Sequence, residues 1–183
     1  MSVNSLDIHS QLIERCRKNE RKAQHELYQL YSTPMYHVSL RIVNNTQEAE
    51  DILQEAFIDM FRKLDTFRGE STFGAWFKRI VANKSINAIK KKVRFTEDID
   101  SLPDHQEEET EGEEPEYTVE HIKLAMSELS HGFRTVFALY MFEDYSHVQI
   151  AEELGISVGT SKSQLSRAKL KVRERLLNQK KEP

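Results

Sequence analysis

Three groups of residues have types and spacings that can do chemistry. The first is an acidic row, Glu48, Asp51, Glu55 and Asp59 with Gln54 beside it, whose steps of three and four line carboxylates along one helix face. The second is the stretch FRGESTFGAWFKRIVANKSINAIKKKVR, Phe67 to Arg94. It opens with the polar loop Phe67, Arg68, Gly69, Glu70 and Ser71 and passes the aromatics Phe73, Trp76 and Phe77. It then carries Lys78, Arg79, Asn83, Lys84, Asn87, Lys90 and Lys91. The third is a set of hydrogen-bond donors, Thr160, Lys162, Ser163, Gln164, Ser166, Arg167 and Lys169, along one helical segment.

Each group has a plain reading and a chemical one. Carboxylates four apart on a helix repel, so the acidic row is either a solvated face or a face that awaits a basic partner. The Phe67–Arg94 stretch can be a core helix with a solvated lysine tail, a membrane-surface helix or a nucleic-acid surface. Aromatics return about 1–3 kcal/mol per stacked base, and lysines hold phosphate. Its asparagines have no use in lipid. The third group can be the basic face of a helical hairpin, or it can reach base edges and phosphates from a DNA groove.

The elements that must position these groups are helices. Strand-type alternation is absent and only 6 glycines occur. Helical spacing runs from Leu6 to Lys18, with Leu12, Ile13 and Cys16 on the apolar side. It runs again from Arg21 to Val43 through Leu27, Leu30, Tyr31, Met35, Val38 and Ile42, with a break or kink expected at Pro34. A third helix starts at the cap Asn45-Thr46 and buries Ile52, Leu53, Ala56, Phe57, Met60, Phe61 and Leu64. In the loop-helix stretch Phe73, Phe77 and Ile80 anchor to the core, while Trp76 suits either core or surface. Further on, Val119–Leu129 forms a short helix, and Ser130 caps another with Phe133, Val136, Phe137 and Tyr140 on its apolar face.

YSHVQIAEELGISVGTSKSQLSRAKLKVRERL, Tyr145 to Leu176, reads as a helix-turn-helix. Ser146 caps its first helix, Ile150 and Leu154 face inward, and small Ala151 admits a close crossing. Gly155 takes the turn, Ile156 plugs the angle and Ser157 caps the second helix. Ser161 faces the core of the motif and is expected to bond back to the Ser157 carbonyl.

Composition bounds the rest. The net charge is −4, which alone disfavours a nucleic-acid partner, but the charge is segregated. Residues 62–94 hold ten Lys or Arg against two acids, and residues 158–181 hold eight against one. Residues 97–116 hold eleven Asp or Glu and no Lys or Arg. That acidic stretch is expected to be a flexible linker, 95–117, between domains 1–94 and 118–183. The expected fold is all-α, two small helical domains. No run approaches the roughly 20 apolar residues of a membrane span. The N-terminus lacks a secretory pattern, and a single cysteine suits a reducing cytoplasm. There is no phosphate loop, metal-ligand spacing or nucleophile elbow, so no catalytic residue, metal, cofactor or enzymatic activity is expected.

Two segments in this order resemble the sigma-70 family of bacterial RNA polymerase sigma factors, extracytoplasmic-function (ECF) type. AEDILQEAFIDMFRKLDTFRGESTFGAWFKRIVANKSIN resembles region 2, and EDYSHVQIAEELGISVGTSKSQLSRAKLKVRERL resembles region 4.2. The resemblance implies a factor that directs core RNA polymerase to promoters and melts DNA without hydrolysing anything. It implies docking of Glu48, Asp51, Gln54, Glu55 and Asp59 on the β′ clamp helices, with region 4 meeting the β flap. Residues 67–71 would pocket a flipped base of the melted −10 element. Trp76, Asn83, Lys84 and Asn87 would lie near the melting edge, and Lys78, Arg79, Lys90 and Lys91 on phosphates. Thr160, Lys162, Ser163, Gln164, Ser166, Arg167 and Lys169 would meet the −35 element. An anti-sigma factor is an implied partner, while membrane insertion and an obligate homo-oligomer are not expected. The chain departs from the family at Ser161 (commonly Val), at Gln164 (commonly Arg) and at Leu129-Ser130 (commonly Leu-Pro). The competing reading is a free-standing helix-turn-helix regulator that binds duplex DNA as a dimer.

Overall fold

The computed structural model describes residues 5–92 and 118–179, and all regular structure among them is helical. The proposed linker lies outside the described residues. The chain divides into two compact units, residues 1–89 and 90–183.

The first unit is built from α1 (Ser5–Arg17), α2 (Arg21–Val43), α3 (Thr46–Lys63), a 3-10 turn (Leu64–Thr66) and α4 (Phe73–Lys92). Asn45 caps α3 as expected, its side chain accepting from the Glu48 N–H at 2.9 Å. The core is apolar and tightly interlocked. Leu27 and Ile42 of α2, Met60 of α3 and Phe77, Val81 and Ile86 of α4 are all fully buried. Tyr31, Phe57 and Phe77 meet edge-on within it. At one point polar groups replace apolar ones: the Ser85 hydroxyl donates to the Val81 carbonyl at 2.9 Å and meets the Ser39 hydroxyl at 3.1 Å. Two short side chains let α2 and α4 approach there without leaving a buried hydroxyl unpaired.

Four expectations need correction. α2 runs through Pro34 without a break. Proline removes one N–H, and that cost falls here on an exposed stretch of the helix. Leu30 is 53% exposed, because the buried stripe of α2 follows 27, 35, 38 and 42 and leaves position 30 at its margin. Phe61 and Ile80 are half-buried; Val81 takes the core place instead.

The second unit comprises α5 (Val119–Ser127), α6 (His131–Met141), α7 (His147–Leu154) and α8 (Val158–Gln179). α8 packs against the other three helices. Thr118 caps α5 reciprocally with His121. Ser130 holds the cap position of α6, but its side chain makes no capping bond. The Arg134 guanidinium turns back instead and donates to the Leu129 carbonyl at 2.8 Å. Burial pushes its pKa down. Tyr140, expected inside, is exposed and stacks on His147 with ring centroids 4.5 Å apart.

Candidate partner and nucleic-acid interfaces

α3 presents its carboxylates outward because its opposite face is fully spent on the core. Asp51, Gln54 and Glu55 are exposed; Glu48 and Asp59 are half-buried. The row has a partner within its own unit. Lys84 of α4 places its Nζ 3.0 Å from Asp59 and 3.3 Å from Glu55. The Lys84 bond, foremost, holds the Asp59 carboxyl below the usual carboxylate range. Burial by itself would lower the Lys84 pKa, but the two carboxylates outweigh it and raise it. The repulsion expected along the row is thus relieved at its C-terminal half. Lys84, grouped with the DNA-facing residues on sequence grounds, is turned onto α3.

The loop between the 3-10 turn and α4 has an exposed tip and a packed root. Arg68, Gly69, Glu70 and Ser71 are exposed, while Phe67 is half-buried. Gly69 sits at φ +75°, a left-handed conformation that lets the chain reverse with no side chain to clash. The Phe67 ring packs against Phe73 (5.5 Å, edge-on) and Trp76 (5.3 Å). Trp76, open to either assignment from sequence, is half-buried: one face joins this aromatic root while part of the indole stays accessible. Thr72 caps α4, its hydroxyl accepting from the Ala75 N–H at 3.2 Å. Along α4, Arg79, Asn87, Lys90 and Lys91 are exposed, and Lys78 and Asn83 are half-buried.

A residue that sequence reasoning missed anchors the root of this loop. Arg17, the last residue of α1, donates from Nη2 to the Phe67 carbonyl at 2.6 Å and to the Leu64 carbonyl at 3.3 Å. Its Nη1 pairs with Glu14. The only signal available was a basic residue in the last turn of a helix, which is usually read as dipole compensation.

The helix-turn-helix forms as its caps require. The Ser146 hydroxyl accepts from the Gln149 N–H at 3.3 Å, and the Gln149 side chain accepts from the Ser146 N–H at 2.9 Å. Gly155 adopts φ +69° and ends α7. The Ser157 hydroxyl accepts from the Thr160 N–H at 2.9 Å. Ile150, Ala151 and Leu154 of α7 and Leu165, Ala168 and Val172 of α8 are all buried, and the two helices pack on each other. Ser161 faces the core as expected, but its hydroxyl does not bond back to Ser157. The Ser157 carbonyl takes its backbone N–H, and its fully buried hydroxyl meets His147 Nδ1 at 2.9 Å. His147 is held below the usual imidazole pKa by burial first, then by Lys162 and Lys169.

α8 turns Lys162, Ser163 and Lys169 outward, with Ser166 and Arg167 half-buried beside them. Thr160 is half-buried and tied to Ser157 (2.8 Å between hydroxyls). Gln164 points elsewhere: its amide lies against Gly132 of α6 and its Oε1 is buried. That placement does not bring it together with the outward donors.

Comparison with known proteins matches the two units separately. Residues 27–95 match the model for Sigma-70 region 2, and residues 120–172 match Sigma-70, region 4. The ECF RNA polymerase sigma factor SigW of Bacillus subtilis is 30% identical over 90% of this chain and 94% of its own length. RNA polymerase sigma-H factor of Pseudomonas aeruginosa is 31% identical over 87% and 89%. Among solved structures, the sigma factor RpoE of Bartonella quintana, crystallised with the anti-sigma factor NepR, shares the fold. Its TM-score is 0.52 at 23% identity, over 83% of this chain and 95% of that one. Among the described residues no helix is long and apolar enough to cross a membrane. Region 2 and region 4 in this order, with full-length similarity to such factors, set aside the free-standing regulator: the chain belongs to the ECF group of sigma-70-type RNA polymerase sigma factors.

Proposed function

We propose that the first unit docks on core RNA polymerase through the open half of the α3 row and captures the melted −10 element with residues 67–71 and the α4 surface. The observation that carries this reading is the exposure of two sets of residues. Asp51, Gln54 and Glu55 stand exposed on α3, and the exposed residues 68–71, with Gly69 left-handed, follow half-buried Phe67, whose ring meets half-buried Trp76. A carboxylate row suits the basic face of a polymerase clamp. An aromatic root beneath a polar loop suits an unstacked base, whose extrusion costs a few kcal/mol that stacking returns. Asn83 and Asn87 then follow the strand near the melting edge, and Lys78, Arg79, Lys90 and Lys91 hold phosphates. Lys84, engaged by Glu55 and Asp59, serves chiefly as a strut between the two helices.

The second unit presents α8 to the −35 duplex through Lys162, Ser163, Ser166, Arg167 and Lys169, with Thr160 at the helix start. It works in the cytoplasm beside the nucleoid, with region 4 also meeting the β flap. An anti-sigma factor restrains it, as in the RpoE–NepR complex of the structural relative. The test is reconstitution with purified core polymerase on supercoiled genomic DNA, followed by sequencing of transcript 5′ ends. New promoter-specific starts with a shared −10/−35 pattern are expected. Failure to co-elute with core, or starts indistinguishable from core alone, would overturn the reading.

A further inference from the structure

We infer that Arg17 is a positioning residue for promoter melting: from α1 it fixes the direction in which the base-capturing loop leaves the protein. This rests on the reading of residues 67–71 as that loop. Helices end with carbonyls that lack intrahelical partners, and such ends fray unless something bonds them. Here the chain leaves α3 through the 3-10 turn, which begins at Leu64 and ends at the cap residue Phe67. The Phe67 N–H satisfies the Leu64 carbonyl in part, at 3.2 Å. The remaining capacity is met by Arg17 Nη2, which bonds Phe67 at 2.6 Å and Leu64 at 3.3 Å across about 50 residues of sequence.

Two features make this an orienting contact. A peptide unit is planar, so holding the Phe67 carbonyl fixes the plane from which Arg68 and Gly69 depart. The guanidinium is itself held at Nη1 by Glu14, while its buried Nε makes no hydrogen bond and lies 3.9 Å from Asp65 Oδ1. A planar fork can serve Glu14 and the two carbonyls at once, whereas a single ammonium has to divide itself between them. Beyond Phe67 the residues 68–71 are exposed, and nothing lies within 4 Å along the Cβ direction of Gly69. The tip is exposed, whereas its root is bonded in place. A root fixed before binding lowers the ordering cost of holding a flipped base.

The experiment uses the full chain with core polymerase on a promoter found by the transcript-start mapping. It measures core affinity, closed-complex affinity and the rate constant of open-complex formation, the last by permanganate reactivity of −10 thymines. Arg17→Ala is expected to slow opening about tenfold while core and closed-complex affinities stay within about twofold. Arg17→Lys is expected to recover part of the loss. The exposed-tip variant Arg68→Ala/Glu70→Ala/Ser71→Ala is expected to slow opening as well, and adding Arg17→Ala to it should slow opening less than the product of the separate effects. A tip variant that opens DNA normally would sink the capture-loop reading and the role of Arg17 with it. A defective tip variant beside a normal Arg17→Ala, purely multiplicative effects, or a loss of core affinity equal to the loss of opening, would overturn the positioning role alone.

Discussion

The two surfaces proposed to meet DNA are held in opposite ways. The helix-turn-helix of the second unit is positioned by neighbours in sequence: Ser146 with Gln149, Gly155 at the turn, Ser157 with Thr160. The loop of the first unit is positioned from afar, by Arg17 at its root, while Lys84 ties the helix that follows it back onto α3. A surface that enters an intact duplex groove needs one rigid shape, and local caps supply that cheaply in chain entropy. A surface that catches a base only after melting needs a fixed root and a free tip. Distant side chains can hold the root without stiffening the tip.

That contrast can be broken experimentally, most severely at the α3 row. Asp51→Arg with Glu55→Arg should weaken core polymerase binding on the order of a hundredfold or more, because like charges then face the clamp. Circular dichroism should show the fold retained. Unchanged co-elution with core would move the docking surface elsewhere. Next in size is the loss of the α7 capping box. Ser146→Ala with Gln149→Ala should destabilise the second unit by about 1–2 kcal/mol, read as a lower denaturation midpoint. The −35 affinity should fall with it. If the midpoint does not move, local caps are not what sets the helix-turn-helix.

Smaller effects sharpen the comparison. Lys84→Met should cost the first unit only about 0–1 kcal/mol, since the pair is partly exposed and screened by salt. It should raise the measured Asp59 pKa by NMR toward the ordinary carboxylate value. A large loss of −10 contacts in this variant would return Lys84 to the DNA surface. Smallest of all is a pH effect in the second unit. The folded state depresses the pKa of His147 below the ordinary 6.5, so the unfolded chain takes up the proton first as pH falls. The contribution of His147 to stability is complete above about pH 6.5 and is lost progressively below it. His147→Gln should flatten that part of the stability–pH curve, and a parallel curve for the variant would exclude His147 as the source.

What could be read from the sequence follows the same division. The α3 cap at Asn45, the caps at Ser146 and Ser157, the left-handed Gly155 and the Leu27–Ile42 stripe are all set by residues within a turn or two of one another. Periodicity and capping rules therefore reach them. The ties from Arg17 to Phe67, from Lys84 to Asp59 and from His147 to Ser161 join different elements and leave no periodic trace. Gln164 shows the cost of this blindness. It has the right type and spacing for a groove contact, yet Gly132 on another helix leaves room for it to turn inward. Ser130 shows the converse, a good capping residue whose hydroxyl makes no capping bond, while Arg134 from the next turn bonds the neighbouring Leu129 carbonyl.

Cys16 lies against the core of the first unit at 2% exposure, and burial pushes its thiol pKa up to about 11. At neutral pH the thiol stays protonated, and its burial shields it from reagents. The chain therefore carries its lone native thiol in an unreactive state. A cysteine introduced at the loop tip, as in Ser71→Cys, would take a maleimide dye by itself, with no need to remove the native residue. The moment of base capture could then be followed as a fluorescence change on an otherwise unaltered protein.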